Sequence, residues 1–171
     1  VIRVDNERAL LDAMDAGDVA SVLRCLDQRL SINWRNAEGC SALFLAAYRR
    51  QWSIIDALLA RGADIDLPDR KGWTPLFWAA FNGHADVVTF LVARGADPNR
   101  RTLDDEWPLF WAAYKGCAEV VRVLIAAGAR LDEIDSDGHD AAWVARVRGH
   151  AAIVELLETC SSSGGLASGL H

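Results

Sequence analysis

A sequence period of 33 constrains this chain more than any other feature. Gly39, Gly72 and Gly138 stand 33 apart or twice that, with Asp105 in the remaining slot. Gly62, Gly95 and Gly128 keep the same step, as do the pairs Ala46-Ala47, Ala79-Ala80 and Ala112-Ala113. A period of this size means small supersecondary units, none of which can bury its own apolar face. Stacked neighbours bury those faces in a line, so the core is spread along the array. Five copies account for nearly all of the 171 residues.

Each copy reads as helix, turn, helix, loop. In the copy with the clearest pattern, Thr74 is placed to N-cap a helix and Pro75 suits its first turn. Leu76, Ala79 and Ala80 recur at i, i+3 and i+4, a narrow apolar face whose alanines let helices approach closely. Gly83 ends that helix. A second runs from His84 to Ala93 with Val87, Val88, Leu91 and Val92 inward, and Gly95 suits its left-handed stop. Asp97-Pro98-Asn99 is turn chemistry, with Asn99, like Asn33, closing a hairpin. The fold class is therefore an all-α repeat solenoid of helix-turn-helix units joined by hairpin loops.

Thr74-Pro75-Leu76, Gly83-His84, Val87-Val88 and Gly95-Ala96-Asp97, held in register over five copies, resemble the ankyrin repeat. The resemblance covers residues 1–158 and implies repeats at about 3–35, 36–68, 69–101, 102–134 and 135–158. The first copy lacks Thr-Pro-Leu and carries Arg29 where later copies have glycine. The last has Asp140-Ala141-Ala142 in that place. Both ends are thus expected to be caps, which implies a complete stack of five. The opening residue, Val1, suggests a fragment or a processed start. Residues 159–171 are Ser/Gly-rich and read as a flexible tail.

The chain departs from the family pattern at several places. The slot after Leu in Thr-Pro-Leu holds Phe44, Phe77, Phe110 and Trp143, aromatics expected to fill the space of the family's histidine. Trp107 replaces the capping Thr, and burial of its indole is expected to offset the lost cap. Arg50 replaces the inter-helix glycine, which implies left-handed strain or a local rearrangement. Trp78 and Trp111, also one period apart, are expected to pack between copies.

In ankyrin stacks the hairpin tips and the exposed side of each first helix line a concave groove. Carried over to this chain, the loop slots of the middle copies are Arg70, Lys71 and Trp73, then Leu103, Asp104 and Glu106. The helix slots are Tyr48 and Arg49, Phe81 and Asn82, and Tyr114 and Lys115. Tyr48, Phe81 and Tyr114 are expected to form an exposed aromatic ladder flanked by Arg49, Lys115 and Arg148. Cys40 falls in an exposed loop slot and is a candidate reactive thiol. Aromatics and Arg make binding hot spots, so the expected function is a non-catalytic module binding a peptide or protein surface. The alternative is recognition of a nucleotide or short oligonucleotide by stacked aromatics with flanking Arg and Lys. A second alternative is a repeat domain that targets an enzyme or membrane domain elsewhere in a longer chain.

Charge and composition narrow the choice. The net charge of -6 argues against a general polyanion binder, making nucleic acid a poor partner. No apolar run is long enough to span a membrane. The four cysteines form no CxxC pair, favouring a reducing compartment, cytoplasmic or nuclear. No nucleophile elbow, P-loop, HExxH or paired Cys/His set is present, so no catalytic residue, metal site or cofactor is expected. His84 and His150 fill the family's Gly-His slot as loop-bonding groups. The partner is a protein or peptide, and the chain is expected to be a monomer.

Overall fold

The computed structural model describes residues 2–164. Along them run helices α1 (Ile2–Asp15), α2 (Val19–Arg29), α3 (Ala42–Tyr48), α4 (Trp52–Ala60) and α5 (Pro75–Phe81). These are followed by α6 (Ala85–Val92), α7 (Pro108–Tyr114), α8 (Ala118–Ala126), α9 (Ala141–Val147) and α10 (Ala151–Gly164). Among the described residues the only extended pairing is an isolated antiparallel bridge between Arg35 and Ser41, at the base of a hairpin. One helix pair falls in each period of the sequence. No described helix is long and apolar enough to cross a membrane.

The chain divides into two compact units, residues 1–75 and 76–171. In the first, α1 packs on α2, α3 on α4, and α2 on α4. Its core holds Leu10, Met14, Leu26, Leu43, Ile54, Ile55 and Leu58, all closed to solvent. In the second, α7 packs on α8 and α9 on α10 within copies, while α6–α8, α7–α9 and α8–α10 join adjacent copies. Ala112 and Ala113 are fully buried there, as are Leu109, Val121 and Leu124. Each large apolar side chain closed off this way is worth about 1.5–3 kcal/mol.

The end of each short first helix follows from its sequence. Ser41 and Asp140 cap α3 and α9, accepting from the Phe44 and Trp143 amides at 3.0 and 2.6 Å. Trp107 makes no such bond at the start of α7. It is 4% exposed instead, its ring packed against Phe110 at 5.0 Å and lying under the Arg101 guanidinium at 4.6 Å. After each first helix the chain needs a left-handed residue. Gly83, Gly116 and Gly149 supply it, but Arg50 adopts φ 57° in the same slot. The site therefore keeps the left-handed conformation, with the strain that a Cβ brings there.

Residues 159–164, where the Ser/Gly-rich tail is expected to open, are helical and continue α10. Thr159 and Ser161 return their hydroxyls to the Glu155 and Leu157 carbonyls at 2.7 and 2.8 Å. The rest of the expected tail, 165–171, lies outside the described residues.

Candidate interaction surface

Four hairpins are built on one recurring side chain. Asn36, Asp69, Thr102 and Asp135 stand one period apart, three places before the left-handed Gly39, Gly72, Asp105 and Gly138. Each accepts, through one side-chain oxygen, from the amides two and four places on. For Asp69 these are Lys71 at 2.8 Å and Trp73 at 2.9 Å; for Thr102, Asp104 at 3.3 Å and Glu106 at 3.2 Å. The backbone closes the same loops, as in Asp69 N–H to Trp73 C=O at 2.9 Å. These residues fix the hairpin tips, and most of the loop slots named from the sequence are residues whose amides they hold.

Neighbouring loops are tied together as well. In the first unit Asn33 accepts from the Asp64 amide at 2.9 Å, and the Arg70 amide donates to Glu38 C=O at 3.2 Å. A Cβ on Gly39 would lie 2.8 Å from the Arg70 nitrogen, so this approach requires glycine. In the second unit Asn99 bonds both the Arg130 amide and the Gly128 carbonyl, at 2.8 and 3.1 Å. Arg101 bridges Asp105 in its own hairpin to Glu133 beside the next. Hydrogen bonds from Arg101 and Arg130 hold the Glu133 carboxyl below its ordinary range.

In the first unit Tyr48, at the end of α3, is 60% exposed. Arg49 follows it but pairs with Asp15 at 3.0 Å and is half-buried, so it is not the open rim cation expected from its slot. Arg70 and Lys71 are exposed, and Trp73 is half-buried with the Lys71 ammonium 5.5 Å from its ring. Cys40 is half-buried, and burial, then the Asp69 and Glu38 charges, push its thiol above the usual range. That favours the protonated form, against the reactive-thiol expectation.

The second unit holds the densest arrangement. Phe81 and Tyr114 are half-buried, not open rungs of a ladder. Trp111 sits between them, its ring 5.0 Å from Phe81 and 5.1 Å from Tyr114. The Lys115 ammonium lies 3.6 Å over Phe81, and the Arg148 guanidinium 4.4 Å over Tyr114. The cations expected beside the rings therefore stand on them. Lys115 and Arg148 cap the C-termini of α7 and α9, where the helix dipole favours positive charge. Asn82 is exposed and donates to Trp78 C=O at 2.8 Å. Leu103, at a hairpin tip, is 77% exposed; Asp104 is exposed and Glu106 half-buried. Trp143, expected to fill an apolar slot, is 40% exposed and stacks on His139 at 3.5 Å.

Asp135, Asp137 and His139 bring potential ligand atoms within 4.8 Å of one another. One Asp135 oxygen already accepts from the Asp137 and His139 amides, at 2.9 and 2.8 Å. The cluster follows from the same loop closure that Asn36, Asp69 and Thr102 perform in theirs.

Comparison with known families matches a model of three ankyrin repeats to residues 10–102 and a single ankyrin repeat to residues 104–136. The chain belongs to the ankyrin-repeat family. Among curated relatives, the mitochondrial disaggregase of Bos taurus is 40% identical over 63 residues, which is 37% of this chain and 9% of that protein. The Homo sapiens mitochondrial disaggregase is 40% identical over 65 residues, 38% of this chain and again 9% of that protein. The chain thus matches a small fraction of the length of these relatives. Ankyrin repeats generally mediate protein–protein interaction and are typically non-catalytic. In ankyrin terms, the aromatics Phe81 and Tyr114 and the cations Lys115 and Arg148 occupy consecutive last-turn and cap positions of the first helices. Sequence reading missed two things. One is the hairpin position shared by Asn36, Asp69, Thr102 and Asp135; the other is the stacking of each cation on the ring one period and one place before it. The first had a visible signal, a hydrogen-bonding side chain three places ahead of each left-handed hairpin residue.

Proposed function

We propose that this ankyrin-repeat chain is a non-catalytic module that binds a peptide or protein surface through its first-helix ends and hairpin tips. The observation that carries the reading is the Phe81–Trp111–Tyr114 cluster under Lys115 and Arg148. It holds two exposed positive charges in fixed positions on packed rings, so little side-chain freedom is lost on binding. Asn82, Leu103, Asp104 and Glu106 supply the remaining contacts of that unit. Tyr48, Arg49, Arg70, Lys71 and Trp73 supply those of the first unit, with Arg49 acting through its pair with Asp15.

Oligonucleotide recognition is the weaker reading. Base stacking needs an open aromatic face, and Phe81 and Tyr114 are each engaged by a cation and by Trp111. The test is capture from the native source by the wild type and by a variant carrying Tyr48→Ala, Phe81→Ala and Tyr114→Ala, with circular dichroism verifying the fold. A protein retained by the wild type and lost by the folded variant is the expected result. Equal retention by both refutes the surface.

A further inference from the structure

We infer that the second unit recognises an extended acidic peptide, with carboxylate side chains at i and i+3 seated on Lys115 and Arg148. This rests on the reading of the chain as a peptide- or protein-binding module and specifies the chemistry of what it binds. Three first-helix ends in the described residues place a cation one period and one place after a side chain of the preceding copy: Asp15–Arg49, Phe81–Lys115 and Tyr114–Arg148. In the first unit the partner is a carboxylate, and the charge is neutralised. In the second the partners are aromatic rings, which hold the cation in place and leave its charge uncompensated. Among the described residues neither Lys115 nor Arg148 has a carboxylate within ion-pair distance, nor does the exposed Arg100 on its loop, whereas Arg101, Arg122, Arg130 and Arg146 of the same unit all do. Both residues are exposed.

The occupant follows from the charges around this pair. The hairpin tips of the unit carry Asp104, Asp105, Glu106 and Asp137. A narrow chain lying along the first-helix ends meets the two cations alone. A broad polyanion such as RNA also meets the acidic tips and is repelled. Packed helices such as α7 and α9 stand about 8–10 Å apart, which a chain in the extended polyproline II conformation covers in three residues at ~3.1 Å each, with i and i+3 on the same face because that helix repeats every three residues. That spacing selects Asp or Glu at i and i+3.

The experiment is selection of displayed random 12-residue peptides on the wild-type chain and on a chain carrying Lys115→Glu and Arg148→Glu. Peptides enriched on the wild type are expected to carry acidic residues at i and i+3, and selection on the charge-swapped chain is expected to lose them. One enriched peptide, measured by fluorescence polarisation, should bind Lys115→Gln or Arg148→Gln about tenfold more weakly than wild type. It should also bind the wild type more tightly than a ten-residue uridine RNA does. Enrichment of neutral or basic peptides overturns the acidic specificity while leaving the peptide-binding reading in place. Enrichment of nothing overturns both. Acidic peptides bound equally by wild type and the Gln variants remove Lys115 and Arg148 from the site, and tighter binding of the RNA replaces the peptide with a nucleic acid.

Discussion

Replacing Gly116 with Ala should cost far more than the same change at Gly149, though both glycines serve the same slot. Both are left-handed, with φ 77° and 79°. Either substitution forces a Cβ into that region, at about 1–2 kcal/mol, less about 0.4–1 kcal/mol from the stiffer unfolded chain. Gly149→Ala should therefore cost roughly 1 kcal/mol, because nothing lies within 4 Å of its added methyl. At Gly116 the methyl would sit 2.6 Å from His150 Cε1 and 2.9 Å from Nδ1 and Nε2. The imidazole must leave, giving up its contact with Tyr114 C=O, 3.2 Å from Nε2. The lost hydrogen bond adds about 0.5–1.5 kcal/mol and the overpacking about 1–3 kcal/mol. Gly116→Ala should thus cost roughly 2–5 kcal/mol. Urea unfolding followed by tryptophan fluorescence reads the difference, with an unchanged m value showing that the same transition is compared. In a His150→Ala background the cost of Gly116→Ala should fall to that of Gly149→Ala. Equal costs at the two glycines, or an excess at Gly116 that survives removal of the imidazole, would refute this account of how the last helix pair is clamped to its neighbour.

Three further outcomes are expected. Arg50→Gly relieves left-handed strain of about 1–2 kcal/mol at the expense of about 0.5–1 kcal/mol of backbone entropy, so urea midpoints should rise slightly; a fall would show that the Arg50 side chain contributes more than its backbone costs. The Glu133 carboxyl is held below 4.5 in the folded chain, chiefly by Arg101 and then Arg130, so its contribution is present above that pH and lost as pH falls through the lowered value. Wild-type stability should therefore drop more steeply through the carboxylate range, between about pH 5 and 3, than that of Glu133→Gln, and parallel profiles would remove Glu133 from the acid response. Burial raises the Cys40 thiol, so iodoacetamide should alkylate Cys40 in the native chain more slowly than free glutathione at the same pH, as mass spectrometry of the tryptic peptide would show.

The fold was legible because its determinants are periodic. Alanine pairs, left-handed glycines and apolar triplets each recur once per period, and each acts locally, so one copy predicts the next. The left-handed slot held even where glycine was replaced, at Arg50 and Asp105, because the surrounding helices and hairpins fix the backbone there. At Trp107 the helix starts without a side-chain cap, and the indole is buried beneath Arg101 in its place. Past 158 composition suggests a tail, yet α10 runs on to Gly164, with Thr159 and Ser161 bonded to the carbonyls four places back, a local geometry that composition does not express.

The site was legible by slot but not by state. Arg49, Lys115 and Arg148 share one position in the repeat, and slot reasoning treats them alike. Their charge depends on a different residue, the one a period and one place earlier, which becomes a neighbour only when two copies stack. Where that residue is Asp15 the cation is consumed by an ion pair; where it is Phe81 or Tyr114 the cation is held and its charge is kept. A carboxylate and an aromatic ring both anchor a basic side chain, but only the ring leaves the site able to attract an anion. The informative unit for recognition in this chain is therefore the pair n and n+34, one side chain from each of two adjacent copies. Exchanging the partners tests the rule directly: Tyr114→Asp should neutralise Arg148 and weaken acidic-peptide binding about tenfold, as Arg148→Gln does, while leaving Arg148 in place. Asp15→Tyr should free Arg49 and extend the acidic preference to the first unit, both read by the same peptide selection. Acidic peptides bound as tightly by Tyr114→Asp as by the wild type would show that the charge of Arg148 is set by something other than the side chain beneath it.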